Sequence, residues 1–157
     1  MITTFQDFAA SFPSYAQWLG VMLIAAIPFV ESYAGSLIGV VIGLPAAVAI
    51  PAAVVGNIGS MLVFVLSAHR VRGSIIARKG GPGAESAKRK RLRATFDRYG
   101  VPGVSLLGQT MLPSQITSAA LVSFGANRNA VIIWQIISIT LWGIVIGGLT
   151  ALGVSAL

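Results

Sequence analysis

The chain reads as an all-α polytopic integral membrane protein with two inverted repeats, each a re-entrant helical hairpin followed by a transmembrane helix. Three observations point there. The 157 residues are 55% hydrophobic and 10% charged, whereas an average soluble domain carries about 25% charged residues. Two long uncharged runs, Ala46–Ala68 and Ala130–Leu157, meet the ~20 apolar residues that a helix needs to cross a bilayer. Ten of the 11 Lys and Arg residues lie between Arg70 and Arg98, and Arg128 is the other. The net charge of +7 is therefore one loop and not a basic surface. By the positive-inside rule that loop is cytoplasmic.

The same arithmetic excludes several function classes. A chain with so little polar surface is not a soluble enzyme or a free nucleic-acid-binding domain, and no nucleic acid is expected as a partner. The absence of Cys excludes disulfides, thiol catalysis and Cys-ligated metals. A single His69 builds no His-rich metal site. No Ser-His-acid set or phosphate-binding glycine loop is present, because Gly80-Gly81-Pro82-Gly83 lacks the following Lys-Ser/Thr. No cofactor is expected. The first 20 residues contain no Lys or Arg, so no secretory n-region is expected.

Residues 1–14 read as an interfacial amphipathic helix. Phe5, Phe8 and Phe12 share a face, Thr4 with Asp7 resembles a capping box, and Pro13 ends the helix. Residues 15–69 form the first repeat. Its two arms, Tyr15–Val30 and Ser32–Gly43, are too short to span at 1.5 Å rise per residue. A hairpin is expected, with its tip at Pro28–Ser36 and a turn at Leu44-Pro45. Ala46–Ala68 then crosses the membrane. Gly56, Gly59 and Ser60 suit close helix contact around Asn57.

Residues 70–98 form the basic cytoplasmic segment. It contains the flexible linker Lys79-Gly-Gly-Pro-Gly83, followed by a helix over Ala84–Arg98, with Leu92, Phe96 and Tyr99 on one stripe and Gly100 as its stop. Residues 99–157 form the second repeat. Val101–Leu112 and Ile116–Gly125 flank the polar break Pro113-Ser114-Gln115, and Ala130–Leu157 crosses. The breaking prolines Pro28 and Pro113 are 85 residues apart, the end-of-hairpin glycines Gly39 and Gly125 are 86 apart, and the spanning-helix glycines Gly59 and Gly143 are 84 apart. The charge pattern makes the two units antiparallel in the membrane, with both termini outside, as in many secondary transporters.

The chemistry is expected at the broken tips. Glu31 is the only acid inside an apolar region. An acid at mid-membrane costs about +2.5 to +3.5 kcal/mol on insertion scales. Desolvation favours its protonated form, so Glu31 is a candidate to bind H+ or Na+. Ser32, Tyr33 and Ser36 beside it, and Gln109, Thr110, Pro113, Ser114, Gln115 and Thr117 of the opposite break, are the candidate substrate-pocket residues. Asn57 and Trp142 are assigned to helix packing or the pocket. Trp134 and Trp142, eight residues apart, fall on roughly one face of the last helix. A homodimer is expected, because two spanning helices offer little surface to seal two polar tips.

Several motifs carry a family resemblance. Ile27-Pro-Phe-Val-Glu31-Ser-Tyr-Ala-Gly35, Gly-Leu-Pro at 43–45 and Gly56-Asn57 resemble the first half of the small multidrug export family. Phe96-Asp-Arg-Tyr-Gly100 resembles the element preceding its second hairpin, and Pro113, Gly125 and Trp142-Gly143 fit its second half. That family is similar to the wider DedA/VTT (SNARE-associated) membrane proteins. The resemblance spans roughly residues 20–157. It implies proton-dependent transport of drugs, or the flipping of lipids or polyprenyl phosphates, with Glu31 as the acid of the first hairpin and Asp97-Arg98 as the cytoplasmic motif. One departure is chemical. Arginines flank the second proline in DedA-type proteins, whereas this chain has Thr110 and Gln115. An uncharged tip grips a phosphate poorly. Proton-coupled export of a small neutral or cationic compound through a midplane site is therefore expected. A lipid flippase or scramblase and a non-transporting membrane scaffold are the alternatives. The expected location is the inner membrane.

Overall fold

The computed structural model describes residues 2–78, 87–108 and 112–156. Gln109, Thr110 and the 79–83 linker lie outside the described residues. The described chain is helical: α1 (Ile2–Ala10), a 3-10 turn (Ser14–Ala16), α2 (Gln17–Ala25), α3 (Glu31–Val41), α4 (Ala46–Arg78), α5 (Ala87–Gly108), α6 (Ser114–Phe124) and α7 (Arg128–Ser155). Two helices are long and apolar enough to cross a membrane, over Ala46–Ala68 in α4 and over Arg128–Ser155 in α7. They mark the chain as a membrane protein. Their outer faces agree. Val55, Val63, Phe64 and Leu66 on α4, and Ile133, Ile137, Leu141, Ile144 and Leu149 on α7, are all exposed. Apolar exposure on this scale suits lipid as the solvent, not water.

The buried faces follow helical spacing. On α4, Ala49, Ala53, Asn57, Met61 and Val65 recur every four residues and are fully buried. On α7 the buried stripe is Val131, Gln135, Ser138 and Ile139, continuing through Gly143 and Gly147. Trp134 and Trp142 lie beside this stripe and are only partly buried.

The chain divides into two compact units. The first is Met1–Ser60 with Ile139–Leu157, and the second is Met61–Ser138. Each long helix thus serves both units.

In the first unit α2 and α3 pack as a hairpin, and α1 packs against both. Small residues let the backbones approach. Space for a Cβ on Gly35 is already taken by Ala25 of α2, 2.7 Å away, and by Ala53 of α4, 3.1 Å away. Gly56 of α4 lies against the Met22 carbonyl of α2, where no side chain fits. On its other side α3 meets α7. Ser32 faces Gly143, and Ser36 faces Gly147, a small-xxx-small pairing on both helices. Gly59 is different: it is exposed, and a Cβ there meets nothing within 4 Å. It takes no part in the close contact expected of it.

Three local expectations need correction. α1 begins at Ile2, so Thr4 sits inside the helix and cannot cap it, and Phe12 falls beyond its end at Ala10. Phe12 instead meets Phe8 edge-on at 5.4 Å. The first hairpin breaks only over residues 26–30, and α3 already starts at Glu31, so Ser32–Ser36 are helical and not tip. The glycine that closes α3 is Gly43 (φ +99°), not the buried Gly39.

Gly43 and Gly125 (φ +106°) end the second arms in the same way. The Leu44 amide donates to the Gly39 carbonyl and the Ala126 amide to the Leu121 carbonyl, at 3.0 and 3.1 Å. Both are the six-to-one bond of a Schellman cap, which needs a left-handed residue and favours glycine. α3 and α6 are 11 residues each.

In the second unit α5 and α6 pack as a hairpin. α5 bends at Gly100 (φ 66°, ψ −168°), where the basic helix stops and the apolar arm begins. Pro102 follows, and its missing N–H is tolerated in a first turn. Asn127 caps α7: its Oδ1 accepts from the Asn129 and Ala130 amides at 2.9 and 3.2 Å.

Candidate functional site: a buried acid at a broken helix

Pro28 has no N–H to continue α2, and the chain turns through residues 26–30. The Val30 and Glu31 amides both donate to the Ile27 carbonyl, at 3.1 and 3.3 Å. The Tyr33 hydroxyl donates to the Phe29 carbonyl at 3.1 Å. These bonds satisfy part of the break's backbone, which apolar surroundings favour. Phe29 (φ 74°) and Glu31 (φ 57°) both adopt the left-handed region. For non-glycine residues this costs about 1–2 kcal/mol each. Strain of this kind concentrates at functional sites.

Glu31 is the first residue of α3 and is 1% exposed. Among the described residues it is the one charged side chain in the buried set. Its position in the first turn favours a carboxylate through the helix dipole. It begins a helix instead of terminating one. Around it Ser32 and Ser36 are fully buried, and Tyr33 is partly buried. Ser32 Oγ donates 2.7 Å to the Ile139 carbonyl of α7. That bond holds the start of α3 against the second spanning helix, so Ser32 positions the acid's helix. Asn57 is fully buried in the middle of the α4 stripe, in the same unit.

The start of α6 is polar, buried and uncharged. Pro113 (φ −55°, ψ 145°) precedes α6, and Pro113, Ser114, Gln115, Thr117 and Ser118 are all buried. Ser114 Oγ lies 3.4 Å from Gln115 Oε1. Thr117 Oγ1 bonds the Leu112 carbonyl at 3.4 Å, and Ser118 Oγ bonds the Gln115 carbonyl at 3.0 Å. The last two satisfy local backbone.

Asp97 and Arg98 are exposed near the end of the basic helix. Arg98 lies over the Tyr99 ring at 5.1 Å. Arg93 lies over Phe124 at 5.6 Å, and Phe96 packs against the same ring, with centroids 6.3 Å apart. The basic helix is thus fastened to the end of α6 within the second unit.

Three buried polar residues escaped the sequence reading: Ser105 on α5, and Gln135 and Ser138 on α7, all fully buried. Gln135 and Ser138 stand three apart in an otherwise apolar run, and that spacing is the signal that could have found them. No protein-family model matches the chain, and neither a curated protein nor a solved structure matches it.

Proposed function

We propose that this protein is a membrane transporter that moves a small neutral or cationic compound, with Glu31 binding a proton or cation in exchange. The observation that carries the reading is the burial of Glu31 at the broken start of a short helix, in a chain with two membrane-crossing helices. Taking an ion out of water costs several kcal/mol. A carboxyl buried in this position is a candidate to take up and release a proton or cation when water reaches it. Intramembrane acids of this kind mark proton and ion pathways. α2 and α3, at 9 and 11 residues, are each about 14–17 Å long. That is roughly half the ~30 Å hydrocarbon core, which supports a re-entrant hairpin. The matched lengths and caps of α3 and α6 support an internal repeat, inverted by the charge pattern. The resemblance to the small multidrug export family points the same way. We place the protein in the inner membrane, as a homodimer, with residues 70–98 cytoplasmic and both termini outside.

Reconstituted proteoliposomes test the reading. Uptake of a lipophilic cation should require or respond to an imposed pH gradient. Glu31→Gln should abolish that response while the variant still folds. Transport by Glu31→Gln that keeps the wild-type pH response would overturn the coupling role. Gradient-independent movement of a labelled polyprenyl phosphate, with no cation transport, would instead establish the flippase reading.

A further inference from the structure

The second unit gathers exposed cations at one corner. Lys90, Arg91, Arg93 and Arg98 of α5 and Arg128 at the start of α7 are all exposed. Asp97 is the one acid among the described residues of this unit. Arg128 stands 30 residues after Arg98 in the chain, and packing brings the two regions back together. Arg93 lies 5.6 Å over the Phe124 ring, and Phe96 packs against the same ring at 6.3 Å. Arg128 is only four residues beyond Phe124, so the two Cα atoms lie within about 14 Å.

The depth of this corner follows from the charge pattern. The chain carries no charge between Arg98 and Arg128 and none after Arg128. These two arginines are thus the last charges before apolar helices, and a charge resists entry into hydrocarbon. Beside them Tyr99 is 50% exposed, an aromatic suited to the headgroup level. Further along the same arm Leu107 is 57% exposed. Guanidinium groups pair with phosphate oxygens through two parallel hydrogen bonds. A phospholipid matches both features, its phosphate meeting the arginines and its chains lying on the apolar surface that follows. A nucleic acid gains little from that apolar surface.

We propose that Arg93, Arg98 and Arg128 form a headgroup site for an anionic phospholipid at the corner of α5, α6 and α7. The site rests on the chain being a membrane protein and not on transport at Glu31.

Native mass spectrometry of the full chain in detergent micelles tests it. The probe is phosphatidylglycerol, with phosphatidylcholine as the zwitterionic comparator. Glycerol phosphate supplies the free phosphate, and a short single-stranded RNA supplies the other polyanion. Phosphatidylglycerol should bind about fivefold or more tighter than phosphatidylcholine, since each Lys or Arg near an anionic headgroup contributes about that factor. Arg128→Gln should weaken phosphatidylglycerol binding about fivefold and leave phosphatidylcholine unchanged. Arg93→Gln should act in the same direction, and Arg128→Lys should recover part of the loss. Thr3→Asp, at an exposed position of α1 in the first unit, changes the net charge by the same amount and should leave binding unchanged. Arg128 and Thr3 are both exposed, so neither variant disturbs packing. Equal binding of the two lipids overturns the proposal. So does undiminished phosphatidylglycerol binding by Arg128→Gln, or an equal loss in Thr3→Asp. Displacement of the lipid by equimolar glycerol phosphate, or by the RNA, overturns it as well.

Discussion

At Phe29 and Glu31 the backbone is strained and the side chains have opposite fates. Phe29 is 68% exposed and Glu31 is 1% exposed. The left-handed turn leaves the ring outside and the carboxyl in the interior. Phe29→Gly relieves a positive φ worth about 1–2 kcal/mol, partly offset by glycine's greater chain entropy, and should raise stability by about 0.5 kcal/mol. Thermal unfolding in nanodiscs reads that as a higher Tm. Ser32→Ala removes a buried hydrogen bond across 107 positions of sequence and should cost about 1 kcal/mol, seen as a lower Tm in the same measurement. The acid itself was legible in the sequence, because Glu31 stands alone in a long uncharged stretch. Its strained backbone was not legible, because Glu carries no preference for positive φ.

The helices pack through small residues, and the two glycines paired from sequence spacing part company here. Gly143 is buried against Ser32 and Val54, whereas Gly59 faces open space. A glycine in an apolar helix announces only that close approach is possible. Which face meets a neighbour depends on the neighbour. Gly147→Val would drive its side chain into Ile50 and Ser36, 2.6 and 2.9 Å from where its Cβ must sit. Overpacking of this kind costs about 1–3 kcal/mol. Gly59→Val, the control, should stay within about 0.5 kcal/mol of wild type. Chemical denaturation in mild detergent compares the two. Gly125→Ala forces a side chain into the left-handed cap of α6 and should cost about 1 kcal/mol, a loss that the same denaturation series detects.

Among the described residues many large apolar side chains are exposed, more than half of them on α4 and α7. That distribution is the physical ground for a bilayer. In the proposed topology the positive block faces the cytoplasm. The chain has no native Cys, so single-cysteine variants report topology directly. Ser155→Cys should react with a membrane-impermeant maleimide in intact cells. Ala94→Cys, exposed on the basic helix, should react only after permeabilisation. The reverse pattern would invert the topology, and labelling of both in intact cells would break it.

Composition, uncharged run length, charge placement and the Pro and Gly positions were enough to specify the two long helices, the stop of the basic helix at Gly100 and the breaks at Pro28 and Pro113. Those features follow from local physics: bilayer thickness, the missing proline N–H and the freedom of glycine. Only the tertiary structure decided that Gly43 and not Gly39 closes the first hairpin, that Ser32 bonds α7, and that Gln135 is buried with its polar ends unmet. Each of these depends on which backbone lies opposite. In a chain of near-uniform apolar helices every face looks alike in sequence, and only packing selects the one turned inward.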